Sequence, residues 1–185
     1  FCMTNNVSDL SPLKDLTSIK GLYMSNNRVS DLSPLTGMNE LVSIYFVENK
    51  ITNVTPLSGL KSLKKINLPV NQISSLEPLA GLSQIDTLIL YNNRISDLKP
   101  LAGMIALNLL HIGGNKITDV TPLTGLKNLE ELNLDGNQIT DVSALAGLTQ
   151  LKILGLSNNP NLSTAQIAQL QKALPDCKIT HDATK

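Results

Sequence analysis

The chain is short of the residues that metal sites and catalytic centres draw on. Its 185 residues include two cysteines, two histidines, no tryptophan, two phenylalanines and three tyrosines. Lysine plus arginine and aspartate plus glutamate are equal at 15 each, so there is no basic excess to attract nucleic acid. No apolar run approaches the roughly 20 residues of a membrane span, so membrane insertion is not expected. The opening residues Phe1, Cys2, Met3 and Thr4 lack the basic start and apolar run of a signal peptide.

What the chain does have is a period. Asparagine recurs every 22 residues at Asn5, Asn27, Asn49, Asn71, Asn93, Asn115, Asn137 and Asn159. Proline keeps the same step from Pro12 through Pro34, Pro56, Pro78 and Pro100 to Pro122, until Ala144 breaks it. Glycine follows from Gly37 to Gly147. Three residue types with distinctive backbone behaviour, locked in one register, imply the same bends in every repeat.

Within a repeat, Leu63-Lys64-Lys65-Ile66-Asn67-Leu68 reads L-x-x-L-x-L and ends in a strand of alternating apolar residues. The following Asn71 falls where the chain leaves the sheet. There its amide can bond backbone groups of its own and the adjacent repeat, for about 1 kcal/mol net per rung. Pairs such as Pro100-Leu101 suit a tight helical turn, because proline's missing N–H costs nothing there. The remaining spacing is too short for a long helix. The expectation is an α/β leucine-rich repeat solenoid, with a parallel sheet on the inner, concave face and short 3-10 turns on the outer, convex face. One repeat cannot bury its own apolar side, so neighbours supply stability. Met104, Leu110, Ile112, Ile117, Val120 and Leu123 are assigned to the core.

The run Asn93-Arg94-Ile95-Ser96-Asp97-Leu98-Lys99-Pro100-Leu101-Ala102-Gly103 resembles the 22-residue repeat of bacterial internalins, and Asn115 to Leu126 matches it more closely. The resemblance covers roughly residues 1 to 160. It implies a right-handed superhelix that recognises protein ligands on its concave sheet, in a secreted or cell-surface bacterial protein. Two other readings stand beside it. One is an intracellular, cytoplasmic regulatory scaffold similar to phosphatase-regulatory leucine-rich repeat proteins; the other is a structural spacer.

The ends differ from the middle. Aligning Cys2 with Met24 puts the first residues in mid-strand, so the first repeat of the solenoid (1–160) is expected to be incomplete and the chain to be part of something longer. Residues 161–180 read as a cap helix and edge strand. Ser163 and Gln166 form a capping box, Ile167, Leu170 and Leu174 share a helical face, and Pro175 stops the helix. Cys177 and Ile179 are expected where Leu154 and Leu156 would recur after one inserted residue, and residues 181–185 should fray. Cys2 and Cys177 lie about seven strand spacings of 4.8 Å apart, too far for a disulfide, so both thiols should be free and buried.

Side chains between the core leucines point away from the core and stack into columns. The central column is Phe1, Tyr23, Tyr45, Asn67, Ile89, His111, Asn133 and Gly155. Two residues later run Met3, Ser25, Val47, Pro69, Tyr91, Gly113, Asp135 and Ser157. Two residues earlier run Gly21, Ser43, Lys65, Thr87, Leu109, Glu131 and Ile153. All three tyrosines fall here, and tyrosine is enriched where proteins bind each other. The candidate partner-binding residues are Tyr23, Tyr45, Val47, Lys65, Asn67, Ile89, Tyr91, Leu109, His111, Glu131 and Asp135, in a monomeric domain with an unidentified protein ligand. Scattered surface apolar residues without a partner are the plainer alternative. Pro69 cannot donate to a ladder and should loosen the sheet edge. Gly113 and Gly114 leave a gap beside His111, either room for a protruding group or a relaxed turn.

An enzyme is not expected. His111 can reach Glu131 on a diagonal, but no serine or cysteine completes a triad. The cysteines lack metal-ligand spacing, and no glycine-rich phosphate loop follows a strand, so no cofactor is expected. Asp9, Asp31, Asp97, Asp119 and Asp141 recur in register, which could suggest calcium; turn capping explains them more simply. The Asn-x-Ser/Thr triplets at Asn6, Asn53 and Asn161 follow from the repeat itself.

Overall fold

A computed structural model describes residues 2–184. Each repeat contributes one three-residue strand and one 3-10 turn. The strands are β1 (Gly21–Tyr23), β2 (Ser43–Tyr45), β3 (Lys65–Asn67), β4 (Thr87–Ile89), β5 (Leu109–His111), β6 (Glu131–Asn133), β7 (Ile153–Gly155) and β8 (Lys178–Thr180). They form one parallel sheet in chain order. Through β7 each residue pairs with the one 22 later, as Tyr23 with Tyr45 and Leu88 with Leu110. A fixed period has become a fixed register.

The 3-10 turns run from Ser11–Leu13 to Ser143–Gly147. Proline is the second residue of the first six, and in each the N–H of the following leucine donates back to the residue before the turn, as Leu57 N–H does to Val54 O at 3.0 Å. The recurring aspartates cap these turns. Asp31 Oδ1 accepts the Ser33 N–H at 2.8 Å and its Oδ2 the Ser33 hydroxyl at 2.7 Å. Asp9, Asp97, Asp119 and Asp141 do likewise with the N–H two residues on. These bonds favour the ionised form. The carboxyl of Asp31 titrates below its ordinary value because of the Ser33 hydroxyl and then its N–H; that of Asp119 is lowered likewise by Thr121.

Seven apolar positions per repeat meet in one continuous core. Ile44, Phe46, Ile51, Val54, Leu57, Leu60 and Leu63 are all sealed from solvent, and so are the six residues assigned to the core from the sequence. Each contributes on the order of 2 kcal/mol by leaving water. The asparagine ladder sews the repeats together at the end of the strands. Asn71 is buried; its Oδ1 accepts the Ile51 N–H at 2.9 Å, and its Nδ2 donates to Phe46 O in the preceding repeat at 2.9 Å and to Leu68 O at 3.1 Å in its own. The same pattern recurs at Asn49, Asn93, Asn115, Asn137 and Asn159. The residue before each ladder asparagine turns left-handed: Asn26, Glu48, Val70, Asn92, Gly114, Gly136 and Asn158 all have φ between 52° and 66°.

Four expectations need correction. Cys177 is buried, but Cys2 is exposed among the described residues. Pro69 does not loosen the sheet. It is buried; its carbonyl accepts the Glu48 N–H at 3.0 Å, while Leu68 and Val70 donate to Ile89 O and Tyr91 O at 2.9 Å. The ladder uses alternate N–H groups, and position 69 is one it skips. In β8, Ile179 pairs with Leu154, a step of 25 rather than 23. The ten-residue helix α1 (Thr164–Ala173), started by the Ser163/Gln166 capping box, consumes more chain than a 3-10 turn. Cys177 therefore precedes the strand, its N–H donating to Leu174 O. Past β8, Asp182 holds the chain by accepting the Asn158 N–H at 2.9 Å, and Ala183 packs against the core.

Candidate functional site

The three outward columns form one continuous face, because strand alternation and the 22-residue register place them there together. Phe1 lies outside the described residues. Tyr23 and Tyr45, neighbours in the central column, stack with ring centroids 4.7 Å apart and planes 8° from parallel. Next come Asn67 and Ile89, both half-buried. Asn67 Oδ1 is buried and accepts no hydrogen bond from a described residue. In the following column Val47 and Tyr91 flank the buried Pro69, with Tyr91 37% exposed. Beside them Lys65 is exposed and Leu109 half-buried. This part of the face is mainly aromatic and aliphatic, interrupted by Lys65 and Asn67.

Towards the C-terminus the face changes character. His111 Nε2 and Glu131 Oε1 lie 2.7 Å apart across β5 and β6, the diagonal anticipated from the sequence. Asp135 accepts the Ser157 N–H at 2.7 Å on one carboxylate oxygen and the Asn133 amide at 2.8 Å on the other. Gly113 is buried beneath them; a Cβ there would stand 2.5 Å from Asn133 Oδ1 and 2.9 Å from Asp135 O. An outward-facing hollow of about 460 Å³ is lined by Tyr91, Asn92, His111, Gly113, Gly114, Asn133, Asp135, Gly136 and Asn158. The positions beside His111 that Gly113 and Gly114 leave without side chains are taken up by Asn133 and Asn92, so the hollow is not a gap made by those glycines alone.

Tyr91, His111 and Asp135 meet around this hollow, while Glu131 stands behind His111. Tyr23, Tyr45, Val47, Lys65, Asn67, Ile89 and Leu109 belong to the face but not to the hollow's lining. Sequence reasoning missed Asn92, Gly136 and Asn158, and passed over Asn133. The signal was present: a glycine or asparagine immediately before the ladder asparagine marks a left-handed residue at the lip of the face. Among the described residues no three His, Cys, Asp or Glu side chains gather as a metal site would need.

The comparisons with known proteins agree with this geometry. Residues 83–125 and 127–171 match the family model for leucine-rich repeats in two copies. An internalin C2 from Listeria monocytogenes is 42% identical, with a TM-score of 0.82 over 84% of this chain and 69% of that one. The chain belongs to the internalin family of leucine-rich repeat proteins. A second internalin, InlF of the same organism, is 34% identical with a TM-score of 0.91 over 98% of this chain. The chain spans about half (54%) of that protein's length. The leucine-rich repeat protein LIC12759 of Leptospira interrogans is 25% identical, with a TM-score of 0.79 over 96% of this chain and 53% of that one. No curated protein sequence matches the chain. Among the described residues no helix is long and apolar enough to cross a membrane. Internalin-type solenoids as a class mediate protein–protein interaction, and such folds present extended concave surfaces for it.

Proposed function

We propose that this internalin domain is a monomeric, non-enzymatic recognition module of a secreted or surface-attached bacterial protein, and that it binds a partner protein on the outward face of its sheet. The observation that carries this reading is the placement of aromatics. A chain with three tyrosines puts all three on one face, joined by Val47, Ile89 and Leu109, although a stable solenoid needs none of them there. Apolar side chains that stay partly open to water in one contiguous strip, with Tyr91 the most exposed, are what a partner's surface can cover. Tyrosine also suits an interface, with a large apolar ring and a polar tip. The surface location rests on kinship with internalins.

The test is affinity capture from host-cell surface extracts with the wild-type domain beside a Tyr45→Glu, Tyr91→Glu variant, after both give the same thermal unfolding midpoint. A protein retained by wild type and lost by the variant supports recognition on this face. Equal capture by both, or none by either, overturns it for that pool and favours a scaffold or spacer role.

A further inference from the structure

The hollow under Tyr91 has an unbalanced charge at its wall. Asp135 is half-buried, and both its oxygens are held by neutral donors, Ser157 N–H and the Asn133 amide. The lysine or arginine ion pair among the described residues is Lys152–Glu130, and His111 is hydrogen-bonded to Glu131, so neither pairs with Asp135. No lysine or arginine lines the hollow. Asp135 is the one carboxylate in its lining; Glu131 and Asp182 reach only its neighbours His111 and Asn158. A carboxylate partly withdrawn from water without a counter-charge is costly, and a cation brought to it recovers that cost.

The rest of the lining suits the same occupant. Tyr91 is exposed at the rim, and a tyrosine ring attracts a cation over its face. Gly113, Gly114 and Gly136 line the floor, where Asn133 and Asn92 occupy the space that side chains at 113 and 114 would take. At Gly114 and Gly136 the backbone is left-handed, with φ of 63° and 66°, so glycine meets no strain there. About 460 Å³ of open space admits an ammonium or guanidinium head and part of its stem.

We propose that this hollow receives a lysine or arginine side chain projecting from the partner protein, with Asp135 as its counter-charge and Tyr91 as its lid. The inference rests on the proposed recognition face and adds the chemistry of the group recognised there. A neutral sugar would use the same ring and amides but would have no need of the carboxylate's charge.

The experiment is a titration of the ¹⁵N-labelled chain with N-acetyl-arginine amide, followed at the Gly113, Gly114 and Gly136 amides. N-acetyl-citrulline amide, isosteric but uncharged, and methyl glucoside serve as comparisons. The arginine derivative should shift these resonances at millimolar concentration, several-fold less strongly as salt rises from about 20 to about 200 mM. Asp135→Asn, which keeps an acceptor for the Ser157 N–H, should weaken the effect roughly tenfold at an unchanged unfolding midpoint. Equal shifts with citrulline amide or the glucoside overturn the proposal without any variant. So does the absence of shifts with the arginine derivative. If capture is lost with Tyr45→Glu alone, a residue outside the hollow, while no arginine shift occurs, the recognition face stands and this inference fails.

Discussion

The two halves of the outward face rest on the same scaffold and differ in balance: aromatic and aliphatic side chains with Lys65 and Asn67 in the first, mostly polar ones with Leu109 and Ile153 in the second. From β1 to β4 the columns hold stacked tyrosines, Val47, Ile89 and a buried proline; from β5 to β7 they hold His111, Glu131, Asn133, Asp135 and glycines. Beneath both run identical elements: seven core positions per repeat, an asparagine rung, a capped 3-10 turn. Positions that face the core or the next repeat meet the same neighbours each time, so physics selects the same residue each time. Positions that face outward meet only their column neighbours, so they are free to diverge. If this division holds, substitutions in the scaffold should act alike in both halves, and substitutions on the face should not.

The largest effect is expected from the ladder. Asn71→Ala and Asn115→Ala each strand buried backbone groups, Ile51 N–H and Phe46 O in one case, Ile95 N–H and Leu90 O in the other. Each should lose about 3 kcal/mol in urea unfolding, since an unsatisfied buried group costs roughly 1–3 kcal/mol. A difference above about 1 kcal/mol between the two would break the claim that the halves share one scaffold.

The face should respond unequally. Gly113→Ala drives a methyl against Asn133 Oδ1 and the Asp135 carbonyl and should lose about 2 kcal/mol. Gly103→Ala, on an outer turn with nothing within 4 Å, should be neutral or gain about 0.5 kcal/mol by restricting the unfolded chain. Equal losses would mean that Gly113 serves the scaffold and not the hollow.

A gain is expected at Val70, a β-branched residue at φ 54°. Asparagine occupies the same position at 26, 92 and 158. Val70→Asn should stabilise by about 1 kcal/mol, because left-handed backbone costs most L-residues 1–2 kcal/mol. Loss of partner capture in that stabilised variant would mark Val70, 36% exposed beside Tyr91, as part of the recognition face.

The smallest effect concerns acid. Asp31 and Asp119 titrate below their ordinary value in the folded chain, held down by Ser33 and Thr121. A depressed folded value means stability that is present above the unfolded pKa of about 3.9 and lost as pH falls through the folded value. Asp31→Asn and Asp119→Asn should each flatten the unfolding midpoint slightly and equally below about pH 4. An effect near neutral pH would show that the carboxylates do something besides capping.

Much of the molecule was legible in the order of residues. The period of 22 implied a parallel sheet in register. Asparagine before each outer segment implied the ladder, proline-leucine the 3-10 turns, aspartate two residues ahead of Ser11, Ser33 and Thr121 the caps. The diagonal from His111 to Glu131 followed from register alone. Each of these is decided by neighbours at a fixed sequence distance, which is what a repeat encodes.

Tertiary structure decided the rest, for reasons a repeat cannot carry. Pro69 reads as a missing donor and turns out to sit where the parallel ladder draws none. The step to β8 depends on how much chain α1 consumes before Lys178 can pair with Ile153, and the hold of Asp182 on Asn158 depends on that step. The hollow is made by Tyr91, Asn92, His111, Gly113, Gly136 and Asn158, which the register aligns across successive repeats, but the open space they leave depends on how their side chains pack. Its shape is a property of the stack, whereas the existence of the stack was a property of the sequence.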